Sequence, residues 1–98
     1  MPSFKWNAEK NEILARTRGV TFEEVVHKIE TGARVYETEH PNPEKYPQQR
    51  ILIVDFDGYA MLVPFVRDND DYFLKTIIPS RKATKKYLGL TPDTLSEN

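Results

Sequence analysis

Apolar residues recur at helical spacing near the start of the chain, and the clearest case predicts a helix that begins after residue 21. Its apolar side chains follow at i, i+3, i+4 and i+7 and share one face: Phe22, Val25, Val26 and Ile29. Thr21 and Glu24 form a capping box at its start, because each side chain can bond the backbone N–H of the other residue. Gly32 supplies a residue at which the helix can end.

Another helix is predicted before it, running to about Arg18, between Asn7 as its N-cap and Gly19 as its C-terminal stop. On this helix Lys10 lies between Ile13 and Leu14 in azimuth, at spacings of three and four, so a cation falls on the apolar stripe. Two interpretations stay open. The aliphatic stem carries the ammonium group out to solvent, or the lysine is aimed at a site beside the core.

The middle of the chain predicts a β-hairpin. Its strands would cover Arg50–Phe56 and Tyr59–Val66, with Asp57 and Gly58 as a two-residue type I′ turn. That turn sets the register on one face: Phe56 with Tyr59, Val54 with Met61, and Leu52 with Val63. Apolar residues fall on the other face as well, so one face is expected to pack against the helices. The other face is then partly shielded or is a binding surface.

Two further strands complete the predicted sheet. Ala33–Thr38 predicts an edge strand, since charged residues are scattered through it, whereas Tyr72–Ile78 is apolar enough for a well-buried strand. Residues 40–49 contain three prolines and predict an extended surface loop. The pattern therefore predicts an α+β fold: two N-terminal helices packed on a four-stranded antiparallel sheet, with a short C-terminal helix. Residues 1–90 would form one domain and residues 91–98 a flexible C-terminal tail.

The stretch from Tyr72 to Leu88 contains an unusual helix start. Pro79 ends the strand and Ser80 is a good N-cap, but the next two residues are cations at a helix N-terminus, where the macrodipole favours anions. The stretch has no acidic residue and five basic ones: Lys75, Arg81, Lys82, Lys85 and Lys86. Backbone N–H groups together with cations indicate a phosphate site.

Composition narrows the functional classes. The chain has 98 residues, a size that suits one modest core, and no cysteine, which excludes disulfides, thiolate metal sites and cysteine nucleophiles. No apolar run approaches the roughly 20 residues that a membrane span needs. We therefore expect a soluble, cytoplasmic protein with no membrane partner. The net charge of −1 conceals the local basic stretch, and that stretch indicates a polyanionic partner.

Three segments resemble the BrnT family, the toxins of type II toxin–antitoxin pairs within the RelE/ParE-like superfamily. They are Phe4–Asn11, Arg18–Glu24 and Ile77–Thr84, with the Trp-Asx-x-x-Lys, Gly-Val-x-Phe-Glu-Glu and Ile-Ile-x-x-Arg-Lys-Ala-Thr motifs. The resemblance spans about residues 4–88. It implies a RelE/ParE-like fold and a metal-independent ribonuclease without cofactors. It also implies a ribbon-helix-helix antitoxin as partner, with DNA contact only through the complex with that antitoxin. Separately, we expect two short helices to leave a large apolar surface uncovered, which would bind the antitoxin or a second copy of the chain as a homodimer.

RNA can be cleaved without a metal when the 2′-hydroxyl attacks the adjacent phosphorus, provided that a base, an acid and charge-stabilising cations are in place. Arg81 is the first candidate for the charge clamp, because arginine binds phosphate bidentately and keeps its charge. The other candidate catalytic residues are Lys10, which the family motif supplies, and Lys75, which alternates with Phe73 and Ile77 on one strand face. Candidate contacts to the RNA backbone are Lys82, Lys85, Lys86 and Arg50. Candidate acid/base groups are Tyr87 and His40.

Three functional hypotheses remain open at this point. A ribonuclease toxin requires Lys10, Lys75 and Arg81 to converge on one side of the sheet, in a concave basic patch. A nucleic-acid-binding module would keep a basic patch without a coherent acid/base pair. A protein-interaction module would show these cations dispersed or neutralised by carboxylates. We predict the convergence that the first hypothesis requires.

Overall fold

The computed structural model describes residues 3–89, which form an α+β domain with three helices and a six-stranded sheet. In chain order the elements are β1 (Phe4–Trp6), α1 (Ala8–Arg18), α2 (Phe22–Glu30), β2 (Val35–Glu39), β3 (Gln49–Phe56), β4 (Tyr59–Asp68), β5 (Asp71–Leu74), β6 (Ile78–Pro79) and α3 (Arg81–Leu88). The α+β class predicted from the pattern is confirmed. The predicted tail, residues 91–98, lies outside the described residues.

The central hairpin forms as predicted. β3 and β4 pair in antiparallel fashion in the expected register, with Phe56 opposite Tyr59. Asp57 has a φ of 55° and Gly58 a φ of 97°, so both central residues of the turn have the positive φ that a type I′ turn requires. The helix starts are confirmed too: Asn7 caps α1, and the capping box of Thr21 caps α2.

The sheet is larger than predicted and is mixed. Its order is β1-β5-β4-β3-β2, so β2 is an edge strand, as expected, while β6 pairs with β4. The prediction of four antiparallel strands is wrong because β1 pairs in parallel with β5. β1 has only three residues, too few for a period-of-two pattern to be recognised. Its partner is also more than sixty residues away along the chain, so no local signal reports the pairing.

The sheet is covered on both faces. α1 and α2 cover one face and enclose a core made of Leu14, Val20, Phe22, Val25, Leu52, Val54, Val63, Phe65, Leu74 and Ile77. α3 covers part of the other face, and its core is made of Ile51, Ile53, Ala60, Ala83 and Leu88. Residues 51–54 are therefore all buried although they alternate between faces. The second apolar face of the hairpin is shielded by a helix.

A β-bulge interrupts the strand that the sequence predicts over residues 72–78. Leu74 lies opposite Phe65 and Ile78 opposite Leu62, so three residues (75–77) face only two on β4. The cause lies in Pro64. Its C=O accepts from the N–H of residue 75 at 2.8 Å, but proline has no N–H with which to complete a regular pair.

The bulge changes which side chains face the core. Leu74 and Ile77 both lie in the α1/α2 core although they are three residues apart, an odd spacing that would put them on opposite faces of a regular strand. Lys75 is exposed. The prediction that Lys75 and Ile77 share one strand face is therefore wrong, and Lys75 does not occupy a position where an apolar residue is required.

α3 is attached to β4 through both backbone groups of Ala60. The N–H of Ala60 donates to Thr84 Oγ1 at 2.8 Å, and its C=O accepts from the N–H of Ser80 at 3.0 Å. The Thr84 hydroxyl in turn donates to the Ser80 C=O at 2.7 Å. Thr84 is fully buried, so its hydroxyl replaces the strand partner that Ala60 would otherwise lack.

β1 is held at the opposite edge by a small polar cluster. The backbone C=O of Ser3 accepts from the N–H of Tyr72 at 2.9 Å, and its hydroxyl donates to the Asp71 carboxylate. Lys5 Nζ lies 2.9 Å from the same carboxylate. The hydrogen bond from Ser3 and the pairing with Lys5 together hold the pKa of Asp71 below its usual range.

None of the helices within residues 3–89 is long and apolar enough to cross a membrane.

Replacing Thr84 by valine should destabilise the domain by about 1 to 3 kcal/mol, because the buried N–H of Ala60 loses its acceptor while the side-chain volume hardly changes. Thr17→Val is the matched control. Thr17 makes the same kind of hydroxyl-to-carbonyl bond, to Ile13, but on the exposed side of α1. It should cost no more than about 0.5 kcal/mol. Chemical denaturation measures both, and equal losses would show that the Thr84 hydroxyl does not anchor α3.

Acid should loosen β1 through Asp71. A carboxylate whose pKa is depressed on folding stabilises the fold above its unfolded pKa, about 4, and that contribution disappears as the pH falls through the folded value. Asp71→Asn should therefore melt below the parent at pH 7, and the gap should close below about pH 4. Fluorescence of Trp6, which stacks on Phe22 with ring centroids 5.7 Å apart, reports the docking of β1. A gap that stays constant down to pH 3 would contradict the assignment.

Candidate functional site

The exposed surface of α3 carries most of the basic residues that the sequence singles out. Its buried residues are Ala83, Thr84 and Leu88, so its remaining positions face solvent or the border with the sheet. Four of these carry a positive charge: Arg81, Lys82, Lys85 and Lys86. No salt bridge within residues 3–89 neutralises any of the three lysines. The basic surface predicted for the C-terminal helix is present.

A cleft runs along one side of α3, between the helix and β2 with the start of the following loop. Its volume is about 230 Å³, and it is lined by Thr38, Glu39, Pro41, Ile51, Ile53, Leu62, Ser80, Lys82, Ala83, Lys86 and Tyr87. Lys82 and Lys86 are one helical turn apart and both line it, whereas Arg81 and Lys85 do not. The four cations of α3 thus form two stripes, only one of which borders the cleft.

Tyr87 connects this cleft to the edge strand. Its half-buried ring lies 5.3 Å from the ring of Tyr36 on β2, measured between centroids. Lys86 Nζ is 5.3 Å from the centroid of the Tyr87 ring, a cation–π arrangement that holds the ammonium group at the mouth of the cleft. The candidate acid/base residue from the sequence therefore contacts Lys86 and lines the same cleft as Lys82, at one end of the basic surface.

The prediction that Lys10, Lys75 and Arg81 converge on one side of the sheet is wrong. Lys10 is half-buried on α1, which packs on one face of the sheet, whereas Arg81 begins α3, which packs on the other. Lys75 lies over the ring of Phe73, with its Nζ 5.0 Å from the centroid. The physical reason is the layer order: an apolar sheet with two covered faces separates α1 from α3.

Two other candidates from the sequence serve local structure. Arg50 Nε lies 2.5 Å from a carboxylate oxygen of Glu37 on the neighbouring strand, so a carboxylate partly neutralises it. His40 Nδ1 accepts a hydrogen bond from the N–H of Asn42 at 3.0 Å, and its ring lies 4.5 Å from that of Tyr46. The Arg50 pair joins β3 to β2, whereas the His40 contacts organise the loop that follows β2.

A second concavity lies on the face covered by α1 and α2. This groove of about 510 Å³ is lined by Phe4, Ile29, Glu30, Val35, Tyr36, Glu37, Leu52 and Tyr72. It is mostly apolar, and its charged residues are both acidic. These two concavities therefore differ in chemistry, with cations at the α3 cleft and carboxylates at the groove.

Thr38 is the residue of the cleft that sequence reasoning missed. It lies opposite Ile51 in the β2–β3 register, and Ile51 belongs to the core under α3, so Thr38 points to that side of the sheet. Its hydroxyl makes no hydrogen bond with residues 3–89. Alternation along β2 contains this signal, but only once the pairing register with β3 is known.

Comparison with known proteins gives no match among family models, curated proteins or solved structures. Within residues 3–89, no group of three or more histidine, aspartate or glutamate side chains is arranged to hold a metal ion. The basic helix α3 and the cleft beside it are the features of residues 3–89 that indicate a function.

Proposed function

We propose that this protein binds RNA through the outer surface of α3. The observation that carries the proposal is the set of lysines on this helix, which are exposed and have no carboxylate partner among the described residues. Phosphate groups attract such side chains, and counterions released from the RNA strengthen the attraction. The resemblance of residues 4–88 to the BrnT toxins supports the same partner.

In this proposal the protein is the toxin of a type II toxin–antitoxin pair with a RelE/ParE-like arrangement, and it acts in the cytoplasm. A ribbon-helix-helix antitoxin would hold it inactive, and DNA would be contacted only through their complex. The basic surface on one helix is consistent with a protein that binds a polyanion, even though the net charge of the chain is −1. A homodimer is a further part of the proposal that sizing of the purified protein can test.

Cleavage of the bound RNA is the second candidate function, and the contact of Tyr87 with Lys86, in a cleft that Lys82 also lines, favours it. In this reaction the 2′-oxygen bonds to the adjacent phosphorus while a base takes its proton. The bond from phosphorus to the 5′-oxygen breaks, and an acid protonates the leaving 5′-oxygen. The lysines would stabilise the charge that develops on the phosphoryl oxygens. In this proposal Lys10 takes no part in the step, because α1 and α3 pack on opposite faces of the sheet.

Removing the three lysines of α3 should weaken RNA binding and flatten its dependence on salt. Each phosphate contact to a single strand contributes about 0.7 to the slope of log affinity against log salt, so Lys82→Ala, Lys85→Ala and Lys86→Ala together should lower it by about two. Titrations of a short single-stranded RNA at several salt concentrations measure this slope.

The control removes two cations from α1, on the opposite layer, by Lys10→Ala and Arg16→Ala. This change should leave the slope near that of the parent, since those residues lie beyond the sheet from α3. A parent protein without measurable RNA affinity at low salt, or a control with the same loss as the α3 variant, would contradict the proposed function. Product analysis in EDTA separates binding from cleavage, because the reaction described above leaves a 2′,3′-cyclic phosphate.

A further inference from the structure

The two walls of the α3 cleft differ in chemistry. Lys82 and Lys86 lie at i and i+4 on the helix wall, so their stems are neighbours and their ammonium groups can reach one anion together. Pro41 lies on the opposite wall, where the chain leaves β2. Thr38 and Glu39 lie on the same side as Pro41, so the positive charge of the cleft is confined to its helix wall.

The floor of the cleft is apolar and consists of well-buried core residues. Ile53 is 1% exposed and Ile51 6%, and both belong to the core under α3 together with Ala83. Leu62 packs against the same core. The rim carries Tyr87, whose ring is fixed by its contact with Tyr36. A flat apolar group could therefore lie on the floor with its edge against an aromatic ring.

The side chains that face the cleft are positively charged on balance. Glu39 contributes to the lining, but it lies opposite Arg50 in the sheet register, and these two residues alternate to the face of Leu52 rather than to that of Ile51. Thr38 faces the cleft with a hydroxyl that makes no hydrogen bond within residues 3–89. Its hydroxyl can donate and accept, so the cleft offers one neutral polar group beside two cations.

The volume limits the ligand. About 230 Å³ is less than the roughly 300 Å³ at the lower end of pockets that enclose drug-sized molecules, so the cleft fits one unit of a longer chain better than a whole ligand. A nucleotide is such a unit, because it combines a planar base that has polar edges with an attached phosphate anion. Its base can enter the cleft only if it is unpaired, as in single-stranded RNA.

We propose that the α3 cleft is a subsite for one unpaired nucleotide of a bound RNA strand. The phosphate lies between Lys82 and Lys86, the base lies on the floor formed by Ile51 and Ile53 against Tyr87, and Thr38 bonds the base edge or the ribose. This inference rests on the proposed function, and it adds that the stripe at the cleft, not the whole basic helix, selects single strands. The outer residue Lys85 makes only a solvent-exposed phosphate contact outside the cleft, which contributes little to affinity.

The test compares single lysine variants that change the helix charge by the same amount. Lys82→Ala and Lys86→Ala should each weaken binding of a short single-stranded RNA by about tenfold or more, the loss expected for a charge-assisted hydrogen bond. Lys85→Ala, on the other stripe, should weaken it by less than about threefold. For an RNA duplex the three variants should behave alike, because the base cannot enter the cleft. Thermal unfolding confirms that each variant is folded.

The Tyr87 ring provides an independent test. Tyr87→Phe keeps the ring and should bind single-stranded RNA like the parent, whereas Tyr87→Leu keeps apolar packing but loses base contact and should weaken binding by roughly 5- to 150-fold. A 2-aminopurine base in the RNA should lose fluorescence on binding to the parent and retain it with Tyr87→Leu. Intact base quenching with Tyr87→Leu would overturn the subsite.

The outcomes separate the subsite from the proposed function. Equal losses for Lys82→Ala, Lys85→Ala and Lys86→Ala would leave RNA binding by α3 in place and overturn the subsite. Absence of RNA binding by the parent would overturn both. An acidic peptide, poly-glutamate, is the competing ligand. If Lys82→Ala and Lys86→Ala lose affinity for that peptide alone and bind RNA normally, the cleft is a peptide site and the nucleotide proposal fails.

Discussion

The basic surface of this protein depends on two hydrogen bonds between Ala60 on β4 and the first two turns of α3. The Thr84 hydroxyl accepts from the N–H of Ala60, and the C=O of Ala60 accepts from the N–H of Ser80. Together they fix where the chain turns from β6 into the helix. Because Thr84 and Ala83 are buried against the sheet, the cations at residues 82, 85 and 86 must occupy the remaining positions of α3. The basic surface is thus a consequence of how this helix is anchored.

The sheet between the helices determines which residues can act together. Residues 51–54 of β3 are buried on both faces, so the sheet is an apolar layer that α1 and α3 cannot reach across. This constraint separates Lys10 from Arg81. It also produces two surfaces of different chemistry, with an apolar groove bordered by Glu30 and Glu37 on one face and lysines on the other. The domain therefore presents a locally basic surface while its net charge is −1.

Local signals in the sequence account for the parts of the fold that could be predicted. The capping box at Thr21, the N-cap Ser80 and the Asp57-Gly58 turn each specify geometry within a few residues, and all three form as expected. The parallel pairing of β1 with β5 and the bulge opposite Pro64 depend on contacts between distant segments, so no local pattern reports them.

The dependence on contacts between distant segments also explains which features of the candidate site could be predicted. The basic character of α3 is a local property, and the sequence predicts it correctly. The division of its cations into a stripe at the cleft and an outer stripe depends on where Thr38 and Pro41 lie across the sheet. Lys75 shows how a contact between distant segments can also remove a candidate. In a regular strand Lys75 would share a face with Ile77, which lies in the core, but the bulge leaves Lys75 exposed.

Amide chemical shifts of the ¹⁵N-labelled protein, followed during titration with a short single-stranded RNA, test the central claim directly. If RNA binds at the α3 cleft, the amide shifts of the cleft residues should change: Thr38, Lys82, Lys86 and Tyr87. The amide shift of Lys10, on the opposite layer, should not change. Changes centred on α1 and α2, with α3 unaffected, would contradict the account.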